Sequence, residues 1–138
     1  IYGGHIYSIE VRNCRFERGT SGHYVKFRGK VATITSNAFD DSNGSRTNYM
    51  IDLPNGAIGE ISNNIFVQGP NKENPSALIT VTAEEKKNSS TGLTIVNNEA
   101  SLAPGAPQNP AFVADWSGEQ LNIGANRLGR GITPFVRR

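Results

Sequence analysis

Four residues near the first third of the chain carry chemistry at close spacing: His23, Tyr24, Lys26 and Arg28. A Lys, Arg, Tyr or His can take a proton, and a second cation beside it can neutralise a carboxylate. Three acidic positions invite a different reaction. Asp52 and Asp115 fall at equivalent places in two short runs, and hydrolysis of a glycosidic bond needs two carboxylates roughly 5–9.5 Å apart. The adjacent Asp40-Asp41 is a third candidate, although two Asp in a turn commonly cap backbone amides. The segment Asp41-Ser42-Asn43-Gly44-Ser45 also gathers oxygen ligands suited to Ca²⁺, without the distal bidentate Glu of an EF-hand loop. No residue is assigned to a metal, no cofactor is fixed by the sequence, and Ca²⁺ is the one ion its oxygens suggest. His5 and His23 are too far apart to argue for a transition-metal centre.

The elements that position these residues emerge from a repeat. An aliphatic residue, two residues, Asn or Cys, one residue and an apolar residue recur five times, beginning at Val11, Ile34, Ile61, Ile95 and Ile123, hence at steps of 23, 27, 34 and 28 residues. A constant motif at variable spacing describes a solenoid in which each copy is one coil and insertions are confined to loops on one side. The inserted segments are turn formers: Asp40 to Ser45, Gly69 to Pro75 and Ala103 to Pro110, with a fourth, charged one from Glu84 to Ser90. Before each later motif lies a second β-prone run, at Tyr24 to Phe27, Met50 to Leu53, Leu78 to Val81 and Val113 to Trp116. No window keeps a helical apolar period.

Alternation along those runs turns Val25, Phe27, Ile51, Leu53, Ile79, Val81, Ala114 and Trp116 inward, and Lys26, Asp52, Thr80 and Asp115 outward in one stacked row. Arg28, Tyr24 and His23 flank its basic end, and Arg46 comes from the neighbouring loop. Asp52 and Asp115, two coils apart, are then roughly 10 Å from each other at about 4.8 Å per coil. The motif Asn suits a left-handed corner, and its amide can bond its counterpart one coil away. Asn37, Asn64, Asn98 and Asn126 form such a ladder, with Cys14 capping one end as a small hydrophobe.

These motifs resemble the pectate-lyase-like superfamily of right-handed parallel β-helix proteins. The likeness spans roughly residues 5–130 and is strongest in Ile9-Glu10-Val11-Arg12-Asn13-Cys14-Arg15-Phe16. It implies an all-β solenoid of about five coils, whose face holding the Tyr24 to Phe27 run and its equivalents is a saccharide-binding groove. It further implies a secreted or cell-surface protein that acts on or binds an acidic polysaccharide. By this reading Lys26, Arg28, Asp52 and Asp115 are the catalytic candidates, and Tyr24, His23, Thr80 and Arg46 contact the substrate. Lys26, Arg28 and Tyr24 suit elimination at a uronate. The Gly-His-Gly and Arg-Ile-Lys segments that accompany the double aspartate of polygalacturonases are missing.

Composition is consistent with one soluble domain over residues 1–138. The net charge of +2, from 14 basic and 12 acidic residues, implies no nucleic-acid partner. No apolar run reaches the length of a membrane span. The first residue is Ile rather than Met, so the chain is expected to be a fragment or C-terminal part of a longer β-helix protein. A competing expectation is a structural module, such as a tailspike or adhesin stalk segment, that self-associates through uncapped coil ends.

Overall fold

The computed structural model describes all residues, Ile1–Arg138, and is all-β. The chain lays down strands three at a time. The first set is β1 (Tyr2–Gly3), β2 (Ser8–Arg12) and β3 (Arg15–Glu17); the second is β4 (Val25–Phe27), β5 (Val31–Thr35) and β6 (Ala38–Asp40). Next come β7 (Ile51–Leu53), β8 (Ile58–Ser62) and β9 (Ile65–Gln68), then β10 (Ala77–Val81), β11 (Thr94–Val96) and β12 (Glu99–Leu102). Then come β13 (Ala111–Asp115), β14 (Asn122–Ile123) and β15 (Arg127–Leu128), and β16 (Thr133–Arg137) opens a further set. Members of a set go to three different sheets, all parallel: β1-β4-β7-β10-β13-β16, β2-β5-β8-β11-β14 and β3-β6-β9-β12-β15. This stacking is compatible with a parallel β-helix.

Register explains why the repeat has its composition. Val11, Ile34, Ile61, Ile95 and Ile123 are successive partners in the second sheet, and Phe16, Phe39, Phe66, Ala100 and Leu128 in the third. The aromatic row is stacked nearly flat, with ring centroids 4.9 Å apart for Phe16 and Phe39 and 5.0 Å for Phe39 and Phe66. Each such contact contributes about 0.5–1.5 kcal/mol beyond the area it buries. The first sheet supplies Val25, Ile51, Ile79 and Val113 to the same core.

Between the second and third sheets the corner divides its work between two adjacent residues. Asn13, Ser36, Asn63 and Asn97 take the left-handed conformation, with φ between 54° and 60°. The residue after each is the one that bonds its neighbours. The Asn37 amide donates to Asn64 Oδ1 at 3.0 Å, Asn64 to Asn98 Oδ1 at 3.0 Å and Asn98 to Asn126 Oδ1 at 2.9 Å. The same three oxygens accept the backbone N–H of Asn37, Asn64 and Asn98. The expectation that one Asn both bends the chain and makes these bonds is therefore corrected: the left-handed φ belongs one position earlier. At the upstream end Cys14 contributes only its backbone N–H, to Asn37 Oδ1, and its thiol is exposed rather than buried.

The insertions do not share one side. Residues 41–50, 69–76 and 103–110 join the third sheet to the first, but residues 82–93 join the first to the second. Loops thus flank the first sheet along both borders, and this brings Glu84 to Lys26.

Candidate functional site

On the outer face of the first sheet, Tyr2, Lys26, Asp52, Thr80, Ala114 and Val136 are consecutive register partners. The expected row therefore holds for Lys26, Asp52 and Thr80 and fails at its last member. Val113, not Ala114, pairs with Ile79 and faces the core, so Ala114 takes the outer position and Asp115 continues the row of Leu53 and Val81. The run Ala111–Asp115 is apolar on both faces, and alternation alone could not fix its parity. Trp116, expected in the core, is shifted with it: it is 37% exposed, with the Arg138 guanidinium 5.9 Å from its ring.

Lys26 bridges two carboxylates, 2.9 Å from Asp52 Oδ2 and 2.8 Å from Glu84 Oε1. Arg28 binds the same Glu84 through both terminal nitrogens, at 2.6 Å and 3.0 Å, and also donates to Asn55 Oδ1 and the Tyr2 hydroxyl. Hydrogen bonds from Arg28 and then Lys26 hold the Glu84 carboxyl down at about 2. Burial would lower Lys26, but Glu84 and Asp52 together keep its ammonium above its ordinary value. Asp52 is further fixed by the Thr80 hydroxyl at 2.7 Å. His23 Nε2 lies 3.3 Å from Asp52 Oδ2, and its ring is 5.9 Å from that of Tyr49. Burial pushes the imidazole pKa down, with Asp52 opposing.

The fold thus assembles His23, Lys26, Arg28, Asp52 and Thr80, and it adds Glu84 and Asn55, which the sequence reading missed. A Glu some fifty-eight residues from Lys26 gives no local signal of its partner. Three expected members are elsewhere. Tyr24 points away from this face, wedged against Phe16 and Phe39, and its hydroxyl donates to Asp41 at 2.8 Å; burial raises its pKa. Asp115 is fully buried, where one oxygen accepts the Ser117 N–H and the other faces Arg137 at 3.5 Å. Its different face position removes the proposed pairing with Asp52. Arg46 is exposed in its loop, with no ion pair or hydrogen bond.

The face is not an open trough either. Asp52, Thr80, Thr82 and Ala114 are all buried, so what reaches solvent is the end that holds Tyr2, His23, Lys26, Arg28 and Glu84.

A second polar cluster lies under the opposite border. Asp41 accepts hydrogen bonds from Tyr24 and Thr47 and faces Lys72 Nζ at 3.2 Å, both side chains being almost wholly buried, at 0% and 1% exposed. Lys72 also donates to the Asn48 carbonyl, and burial drives its pKa below the ordinary lysine value despite Asp41. These bonds tie residues 41–50 and 69–76 together. They also answer the calcium expectation, because the Asp41 carboxylate is occupied by an ammonium and two hydroxyls, and Asp40 by Ser42 and Arg15.

The chain matches no known family model, no curated protein and no solved structure.

Proposed function

We propose that the chain is a right-handed parallel β-helix with an Asn ladder, resembling the pectate-lyase-like superfamily, and that Lys26 and Arg28 hold a carboxylate of an acidic polysaccharide. The right hand follows from the near-universal handedness of parallel crossovers. The observation that carries the binding reading is the grip on Glu84. Lys26 on β4 and Arg28 just past its end enclose a single carboxylate, 44% exposed, from the 82–93 loop. A uronate carboxylate has the same charge and donor demands, and an Arg fork is suited to it. Glu84 then acts as the internal occupant that the ligand displaces. A secreted or cell-surface location accords with such a ligand.

Titration of the full chain with polygalacturonate and with uncharged dextran tests this. Binding should be confined to the acidic polymer and weaken with salt. Arg28→Ala, which leaves the Lys26–Asp52 pair intact, should reduce it at least tenfold, and Glu84→Gln should strengthen it. Equal affinity for dextran, or indifference to Arg28→Ala, would sink the proposal.

The closed outer face favours a second reading, a non-catalytic structural module. In that case no polymer binds, and the chain associates with itself in solution.

A further inference from the structure

We infer that the side chains of Lys72 and Asp41 condense into an intramolecular amide bond, which ties residues 41–50 covalently to residues 69–76. The inference does not depend on saccharide binding, since the pair lies under the opposite border of the first sheet from Glu84. An amine and a carboxyl group need three things to form an amide unaided: fixed proximity, exclusion of water, and donors aimed at the oxygen that becomes charged.

The backbone supplies proximity. Parallel bridges stack Gly22, Thr47 and Lys72, and the Glu73 N–H donates to Thr47 O at 2.8 Å, so Lys72 is fixed beside Thr47. Asp41 is anchored in turn by its own N–H, which donates to Val67 O at 2.9 Å. Two glycines close around it: a Cβ on Gly44 would stand 2.0 Å from Asp41 Oδ1, and one on Gly69 1.9 Å from Asp41 O. The Lys72 ammonium is thereby held 3.2 Å from Asp41 Oδ2. Groups kept in reacting geometry within one molecule behave as though at about 10⁵–10⁸ M.

Burial supplies the second requirement. With the two side chains 1% and 0% exposed, separated charges are poorly solvated, whereas a neutral amide asks for little. Burial is also the largest influence on Lys72 and favours its neutral, nucleophilic form, with Asp41 opposing. The other partner of Lys72 Nζ, the Asn48 carbonyl, accepts a hydrogen bond but neutralises no charge.

The donors are two hydroxyls. Tyr24 donates to Asp41 Oδ1 at 2.8 Å, and the Thr47 hydroxyl lies 2.8 Å from both carboxylate oxygens. The Gly19 N–H donates to the Tyr24 oxygen, which leaves the Tyr24 proton for Asp41. Oδ1 therefore faces donors and Oδ2 faces the amine, and this decides which oxygen departs.

In the reaction, the ammonium passes a proton to Oδ2. The freed lone pair on Nζ forms a bond to Asp41 Cγ while the carbonyl π pair moves onto Oδ1, where Tyr24 and Thr47 stabilise it. That pair returns to remake the carbonyl as the Cγ–Oδ2 bond breaks. The departing oxygen takes a second proton from the nitrogen and leaves as water. One ammonium and one carboxylate become one secondary amide and one water, with no oxidant, metal or activated donor consumed. The groups meet only in the folded chain, so closure follows folding from the ion-paired state.

The test follows the intact mass of the full chain for several days at neutral pH, with circular dichroism confirming the fold. A species lighter by one water should accumulate at a rate independent of protein concentration. After proteolysis the missing water should map to a branched peptide joining the segments that carry Asp41 and Lys72. Lys72→Arg keeps the positive charge but removes the amine, and should retain its full mass. A folded wild-type chain that keeps its full mass overturns the inference. So does a lost water that maps to a cyclic imide within a single peptide, or a Lys72→Arg chain that loses water as readily as wild type. Should Lys72→Arg fail to fold, the wild-type peptide map decides alone.

Discussion

Replacing Asn64 by Ala gives the sharpest test of how successive strand sets are joined. Its side chain makes four hydrogen bonds: Oδ1 accepts from the Asn37 backbone N–H and the Asn37 amide, and Nδ2 donates to Ile34 O and Asn98 Oδ1. Asn37 and Asn64 are both buried. Truncation therefore leaves at least two Asn37 donors without partners, where water does not reach. At about 1–3 kcal/mol for each orphaned buried group, the loss should be about 3–5 kcal/mol. Against a total stability of about 5–15 kcal/mol that is a large fraction, equivalent to a fall in Tm of roughly 10–15 °C for a chain of this length. Asn126, at the downstream end of the series, also makes four side-chain bonds but is only half-buried. Water can replace those bonds, so Asn126→Ala should cost about 1 kcal/mol. Urea unfolding followed by far-ultraviolet circular dichroism reads both values, provided the slope m is unchanged. Equal losses for the two variants, or a loss below about 1 kcal/mol for Asn64→Ala, would refute the argument that burial of the amide row, rather than its mere presence, secures the stacked strand sets.

Lys72→Met should destabilise by about 3–5 kcal/mol because it strands Asp41 at zero exposure, and the double variant Lys72→Met/Asp41→Asn should recover much of that in the same urea assay. Gly59→Ala should be severely destabilising, since φ is +119° and a Cβ would stand 2.2 Å from Ala32 O; Gly118→Ala, at φ +69° with open space around it, should cost about 1 kcal/mol. Glu84 is depressed from 4.5 to about 2, so its contribution to stability is present above pH 4.5 and lost as pH falls towards 2. Wild type should therefore lose more stability than Glu84→Gln over that interval in acid titrations, and identical acid profiles would count against the Lys26–Glu84–Arg28 grip.

How much of this was legible depended on where a residue's partner lay. The second- and third-sheet strands were readable because Val11, Ile34, Ile61, Ile95 and Ile123 mark one corner whose backbone geometry recurs. The inward row of the first sheet was equally plain where polar residues interrupt it, as at Lys26 and Asp52. Ala111–Asp115 offers no such contrast, so alternation puts Asp115 and Trp116 on the wrong faces. Tyr24 misled for a related reason. The chain turns a corner there, and both Tyr24 and Val25 enter the core, breaking the period of two. Glu84 and Lys72 carry no such signal because their partners lie far away along the chain, and nothing in a charged loop names the strand it folds over.

The amide series has a kinetic corollary. Its links join residues 27, 34 and 28 positions apart, each confined to neighbouring turns of the chain. Opening should accordingly propagate like the fraying of a rope, inward from the terminal turns, since each turn leans only on those beside it. Amide exchange would then be slowest around Ile34, Ile61 and Phe66 and accelerate towards either extremity. A lesion in the middle would divide the molecule into two weakly communicating halves.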